Sequence, residues 1–253
     1  MDWRGSLEDA ADLAGVHAVP AHPTSGHAIG IIAIDLVYPK LPGNVVNATT
    51  FDFPVLYRIV SFEIERLFAG DPAIEDQVVE AARELERSGV RAIVGACGFF
   101  AHFQESVAAA VRVPVFLSSL VQLPMIRAGL GAGRRVAVLA ADGASVTDAM
   151  LSHVGASLDG VLVQDVGSLE SFAPIRWGKT ELDNGALTRD LAALAQRLVA
   201  ENPDLGAILL ECSDLPPYAA AIQRACGLPV FDFITLVNWV HQAVVQRPYG
   251  GWF

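Results

Sequence analysis

The stretch Ala207–Phe231, AILLECSDLPPYAAAIQRACGLPVF, decides the reading of this chain, because an earlier stretch matches its pattern without a gap. Residues Ala92–Phe116 read AIVGACGFFAHFQESVAAAVRVPVF. In each, an apolar run ends in a cysteine, Cys97 or Cys212, a helical segment follows, and Pro-Val-Phe opens the next apolar run. Pro114 and Pro229 each lie 17 residues past their cysteine. A weaker echo pairs IIAID before Leu36 with AVLAAD before Gly143. The repeat predicts two similar units, each presenting a cysteine at the carboxyl end of a central strand. Ligands of open α/β sheets bind at that end.

Outward from the repeat, short apolar runs alternate with helical patterns. GIIAID (30–35), VLYRIV (55–60), RAIVGAC (91–97) and VPVFLSS (113–119) read as strands of the first half. RVAVLAA (135–141), GVLVQDV (160–166), AILLEC (207–212) and LPVFDF (228–233) read as strands of the second. They are short, rich in β-branched residues and mostly apolar on both faces, as expected for parallel strands covered by helices. DPAIEDQVVEAARELERSG and LTRDLAALAQRLVAENP carry the helical period. The expected fold class is therefore α/β, with two pseudo-symmetric lobes, each a parallel sheet flanked by helices, and the active site in the cleft between them. Residues 1–28 read as a polar lead-in, 29–125 as lobe one with 230–253 returning to it, and 126–229 as lobe two.

Composition narrows the function. Acidic residues number 28 against 17 basic ones, a net charge of -11, and there is no Lys/Arg-rich run. Such a surface repels a phosphate backbone, so nucleic acid is not expected as a partner. The acidic N-terminus has no apolar core segment, and the longest charge-free apolar stretch, VPVFLSSLVQLPMI, is too short to span a bilayer and carries two prolines. No membrane partner and a cytoplasmic location are expected. The hydrophobic fraction of 53% suggests buried subunit contacts and a homo-oligomer. Three cysteines with no CxxC or Cys/His cluster argue against a disulfide framework and against a metal site. No GxGxxG follows a strand and no GxxxxGK[ST] loop is present, so no cofactor is expected.

One cysteine at a strand end is ordinary packing. Two at matching places in a repeat point to chemistry. A thiol beside backbone N–H groups and a helix N-terminus is expected to ionise more readily. A thiolate on one side of a carbon acid and a thiol on the other form a base–acid pair. The amides of Gly98–Phe99 and Ser213–Asp214 are placed to hold a carboxylate and enolate-like charge. Cys226 has no partner in the repeat and reads as a packing residue.

These segments resemble the aspartate/glutamate racemase superfamily, which includes hydantoin racemases, maleate isomerases and arylmalonate decarboxylases. The resemblance covers roughly Gly30 to Trp239 by element order. It implies two pseudo-symmetric α/β lobes and one cysteine per lobe, Cys97 and Cys212, as cofactor-independent acid and base. Where ordinary amino-acid racemases carry Cys-Asn-Thr, this chain has Cys97-Gly98-Phe99, and where they carry Cys-Thr-Glu or Cys-Thr-His it has Cys212-Ser213-Asp214. Polar groups that grip an amino acid are thus partly missing. YPKLPGNVVNATTFDFPVLYRIV, GACGFFAHFQ, PVFLSSLVQLP and ILLECSDLPPYAAAI are more similar to the branch that contains the algal dimethylsulfoniopropionate lyases. In the superfamily, hydroxyls at the strand beside the first cysteine bind the substrate carboxylate, which assigns that role to Ser118 and Ser119, with Thr235 a weaker counterpart.

The expected function is racemase-type isomerisation of a small carboxylate, by proton abstraction next to the carboxylate. The alternatives are β-elimination from dimethylsulfoniopropionate or a similar substrate, and a non-catalytic acid-binding protein. Asp35, at a strand end, joins Gly98, Phe99, Ser118, Ser119, Ser213 and Asp214 as a substrate-binding candidate. Asp142 reads as a turn or cap residue. Glu211 precedes Cys212 in a strand and is expected to point away from the thiol toward an ion pair or helix contact. Phe99, Phe100 and Phe103 read as core or as the wall of an apolar pocket, Arg58 as a surface residue or an anion contact, and His102 as a solvated helix residue or a second acid–base group. LPGNVVNATTFDFP reads as a loop over the cleft or a surface linkage.

Overall fold

The computed structural model describes residues 22–250 and 252; the predicted lead-in over 1–28 lies mostly outside them. Eight strands form two four-stranded parallel sheets. The first has the order β2-β1-β3-β4, from β1 (Ile29–Ile34), β2 (Val55–Val60), β3 (Ala92–Gly95) and β4 (Val115–Phe116). The second repeats it as β6-β5-β7-β8, from β5 (Arg135–Ala140), β6 (Val161–Asp165), β7 (Leu205–Leu210) and β8 (Val230–Phe231). β1 and β7 are buried along their whole length, while the edge strands β2 and β6 are half-exposed. The strand runs read from the sequence are all present, but β4 and β8 hold only two residues each. Pro114 and Pro229 precede them, and Ser118 and Asp232 follow as N-caps, so the chain leaves the pleat at once.

The helices are α1 (Ile64–Phe68), α2 (Glu75–Arg87), α3 (Gln104–Ala110), α4 (Leu123–Gly129), α5 (Asp148–Ser152), α6 (Ala173–Arg176), α7 (Asn184–Glu201), α8 (Ala219–Cys226) and α9 (Phe233–Val244). α7 forms because Leu187, Leu191, Leu194, Ala195 and Leu198 recur on one buried face and Asp183 accepts from the amide of Ala186 at its start. α9 opens with a capping box in which Asp232 and Thr235 serve one another's backbone amides.

Strand alternation sorts the core into three clusters. Ile29, Ile31 and Ala33 face α9, whose Phe233, Leu236, Val237 and Val240 cover that side of the first sheet. Ala137, Leu139, Ile208 and Leu210 face α7 and α8. Ile32, Ile93, Val136, Val138 and Leu209 belong to one continuous cluster that joins both sheets through residues of α2 to α5. The halves are thus welded by a shared apolar interior, with the carboxyl ends of β1, β3, β5 and β7 beside it. Leu209, fully buried in this shared cluster, is a direct test: Leu209→Ala should lower the unfolding free energy by about 2–5 kcal/mol in urea titration.

Candidate active site

Beyond Gly95 the chain leaves the first sheet, passes Ala96 and Cys97, and turns into a 3-10 segment, Gly98–Phe103. Beyond Leu210 it leaves the second sheet, passes Glu211 and Cys212, and turns again at Ser213. Both thiols line one cavity at these strand ends, holding about 600 Å³ of free space with its mouth included. Cys97 is half-buried and Cys212 is buried. The amide of Phe99 is directed at the Cys97 sulfur, and that of Asp214 at the Cys212 sulfur, so each thiol meets the N–H two residues ahead.

The charge balance differs from what the amides alone suggest. Burial first, then the nearby carboxyls Glu211 and Asp214, hold both thiols well above the usual cysteine range, and the two amides only partly oppose this. The shift of both thiols is thus upward, toward the neutral form, where the sequence suggested a lowered pKa.

Asp214 is fixed against Cys212. Its Oδ2 lies 3.5 Å from the Cys212 sulfur, while Oδ1 accepts from Tyr38 Oη at 2.7 Å and from Asn44 Nδ2. Burial raises the Asp214 carboxyl, opposed by these hydrogen bonds and by Lys40. Burial, then Asp214, pushes the Tyr38 phenol up well beyond its usual value, so it stays a donor.

Tyr38 and Asn44 come from the segment that follows β1. Val45 N there donates to Ser213 O, and Tyr38, Lys40 and Val46 form one wall of the cavity. This turn-rich stretch covers the cleft. The lining also includes Phe68, Phe172 and Arg176, whose guanidinium sits over the Phe68 ring and reaches Glu65 at 3.1 Å. None of Tyr38, Lys40, Asn44 or Arg176 was singled out from the sequence. The turn-rich stretch after the first strand was the available signal for the first three, and APIRW offered none for Arg176.

Glu211 departs most from expectation. It makes no ion pair among the described residues and does not turn from the thiols. Its side chain is fully buried in the cavity wall, with Oε2 accepting from Ala141 N at 3.2 Å and Oε1 without a hydrogen-bond partner among the described residues. It lies against Gly98, where an added Cβ would sit 2.0 Å from Oε1. Burial pushes this carboxyl up to about 8. β7 has ended at Leu210, so strand alternation no longer dictates where residue 211 points.

The remaining candidates divide. Ser213 lines the cavity and its Oγ donates to Ala96 O at 2.8 Å, tying the halves together beside the thiols. Ser118 and Ser119 are buried and are not among the residues that line the cavity. Ser118 Oγ accepts from Leu120 N as a cap, and Ser119 Oγ donates to Leu210 O across the lobe boundary. Asp35 is exposed and outside the lining, although its charge is felt by Lys40. Gly98 contributes close approach and Phe99 its amide; the Phe99 ring packs on Phe68, and the buried Phe100 and Phe103 belong to the same core cluster. Asp142 caps the turn Gly143–Ser145, Thr235 serves the α9 cap, and Arg58 pairs with Glu84 at the surface. His102 is half-buried; it packs against Gly70 with its Nε2 buried.

No group of three or more His, Cys, Asp or Glu side chains among the described residues is arranged to hold a metal ion. No described helix is long and apolar enough to cross a membrane.

Comparison with known proteins agrees with this geometry. A profile of the Asp/Glu/Hydantoin racemase family matches residues 59–239. A dimethylsulfoniopropionate lyase of Durusdinium sp. clade D is 33% identical over 239 residues, covering 90% of this chain and 79% of that protein. Dimethylsulfoniopropionate lyase 5 of Emiliania huxleyi (strain CCMP1516) is 33% identical over 98% of this chain, which spans only 51% of that protein's length. Unliganded arylmalonate decarboxylase shares the fold with a TM-score of 0.55 at 21% identity, over 88% of this chain and 94% of that one. The chain belongs to the Asp/Glu/hydantoin racemase family. Family and relatives together support an enzyme of racemase-like or lyase activity.

Glu211 offers a check on the site's burial. Its folded pKa of about 8 lies above the ordinary 4.5, so the folded protein retains a proton that the unfolded chain releases. The stability that comes from keeping this carboxyl neutral is full below about 4.5 and is lost as pH rises to about 8. Urea unfolding at several pH values should show the parent losing stability relative to Glu211→Gln across that window and levelling off above it. A difference that stays flat with pH would contradict the assignment.

Proposed function

We propose that this protein removes a proton next to the carboxylate of a small substrate with its two thiols, and that β-elimination from a dimethylsulfoniopropionate-like zwitterion is the reaction to test first. The observation that carries the proposal is the opening of Cys97 and Cys212 onto one cavity from equivalent strand ends.

Three features favour elimination. The relatives matched over nine-tenths of this chain carry the name of that lyase. The cavity walls are mainly apolar and aromatic, with Tyr38, Phe68 and Phe172 beside the carboxyls of Glu211 and Asp214. Ring faces and carboxyls suit a fixed cation such as a sulfonium. Lys40 and Arg176 stand on the same walls and suit the substrate carboxylate.

In the proposed step, one thiolate takes the proton on the carbon next to the carboxylate. The C–H electron pair forms the new C=C bond, and the bond to sulfur breaks with its electrons leaving on dimethyl sulfide. Acrylate remains, and one proton is released per turnover. Dimethyl sulfide departs uncharged and needs no acid. The second thiol is then free to hydrogen-bond the carboxylate as negative charge builds on it.

Racemisation is the second reading, favoured by one observation: the two thiols have matching amide partners, as a two-sided acid–base pair needs. Both reactions use the same residues. Proton NMR in D2O separates them, with dimethylsulfoniopropionate, aspartate and glutamate as substrates. Acrylate and dimethyl sulfide are expected from the first, and Cys97→Ser or Cys212→Ser should cut their formation by roughly 100-fold or more. Deuterium at the α-carbon without new products would instead assign a racemase. Neither product nor exchange, with both variants equal to the parent, would remove the thiols from the chemistry.

A further inference from the structure

A small acid bound in this cavity needs a group in the wall to hold its carboxylate. Ser118 and Ser119, the hydroxyls that likeness assigned to that task, are not among the lining residues. Two cationic side chains are, Lys40 and Arg176. Lys40 is already engaged: its Nζ donates to Leu36 O at 2.5 Å and lies 4.0 Å from the centre of the Tyr38 ring, and the carboxyls of Asp214 and Asp35 act on its charge. Arg176 is held differently, by one carboxylate from the other half of the chain.

Arg176 ends α6, in the second half, and Glu65 stands in the first turn of α1, in the first half. Arg176 Nη1 donates to Glu65 Oε1 at 3.1 Å. The guanidinium lies 4.8 Å from the centre of the Phe68 ring and 4.5 Å from that of Trp177. Rings stacked on a guanidinium fix its plane and leave its N–H edge free. Its other two nitrogens donate to nothing among the described residues. The exposures of the partners differ: the Arg176 side chain is 14% exposed and that of Glu65 59%. A fork in the cavity wall is thus paired, through one nitrogen, with a carboxylate that stands mostly in water. Ion pairs with an exposed partner contribute little to stability. A second carboxylate that met two N–H groups of the fork in parallel would be held better than Glu65 is.

We propose that Glu65 is a built-in competitor for the substrate: it occupies Arg176 in the free protein, and the substrate carboxylate displaces it and takes the guanidinium. The inference rests on the reading of the substrate as a small carboxylate and holds for either reaction. It gives Arg176, rather than Lys40, the carboxylate end, and leaves Lys40 as the cation beside Asp214. Because the pair joins α1 to α6, substrate binding also undoes a tie between the two halves beside the cavity.

The test is a titration with propionate, a small acid inert toward thiols, followed by saturation-transfer NMR in the parent, Glu65→Gln, Arg176→Gln and the double variant. Glu65→Gln should bind propionate about two- to fivefold more tightly, because the competing state is gone. Arg176→Gln should bind at least roughly tenfold more weakly than the parent. The double variant should bind no more tightly than Arg176→Gln, since the competitor acts only through the guanidinium. If Arg176→Gln does not fold, Arg176→Met, which keeps an apolar stem over the rings, takes its place. Unchanged or weaker binding in Glu65→Gln would overturn the inference. So would a gain from Glu65→Gln that persists without Arg176, which would leave Glu65 as a distant repelling charge. Absence of saturable binding in every protein would remove the carboxylate reading and the inference with it. Propionate binding asks nothing of Cys97 or Cys212, so failure of the proposed chemistry shows separately, as turnover that survives Cys97→Ser.

Discussion

A Cβ on residue 98 would sit 2.0 Å from the Glu211 carboxylate, so the two halves meet there with no room for a side chain. That contact brings the Cys97 turn against the residue that follows β7, beside the cavity. The Ser213 hydroxyl bond to Ala96 and the Ser119 hydroxyl bond to Leu210 join the same two halves. Burial is the largest influence on Cys97, Glu211, Cys212 and Asp214 at these strand ends. The thiols, Glu211 and Asp214 are all pushed toward their neutral forms for that one reason.

A neutral resting site has a functional logic. Thiolates standing free in an open cleft would react with oxidants and metals. Here they would appear only when the cavity holds something that compensates their charge. Under the proposed function, the aromatic faces and carboxyls of the lining, with the ammonium of Lys40 and the guanidinium of Arg176, would give a zwitterion places for both of its ends.

The strands were legible in the sequence because parallel strands covered on both faces leave an unbroken apolar signature, as in IGIIAI and LGAILL. The extents of β4 and β8 were not, since capping by Ser118 and Asp232 depends on where the next helix begins. Cys97 and Cys212 were legible only because the chain repeats itself. Glu211 was misread for a local reason: alternation holds inside a strand, and this residue lies one step past its end. The Ser118 and Ser119 hydroxyls were assigned by likeness, and likeness does not reveal which way a hydroxyl turns when a backbone amide or carbonyl competes for it. Tyr38 and Asn44 reach Asp214 from about 170 positions earlier in the chain, a relation that no local pattern encodes.

The apolar cluster that joins both sheets bears on how the molecule assembles. Ile32 and Ile93 from one half share it with Val136, Val138 and Leu209 from the other, so neither half can complete its interior alone. Losing one sheet strips cover from its neighbour, which makes unfolding a concerted event in which the halves come apart together. An internal duplication that might have yielded two separable modules has instead produced one cooperative unit, whose pocket exists only while both copies of the repeat are folded.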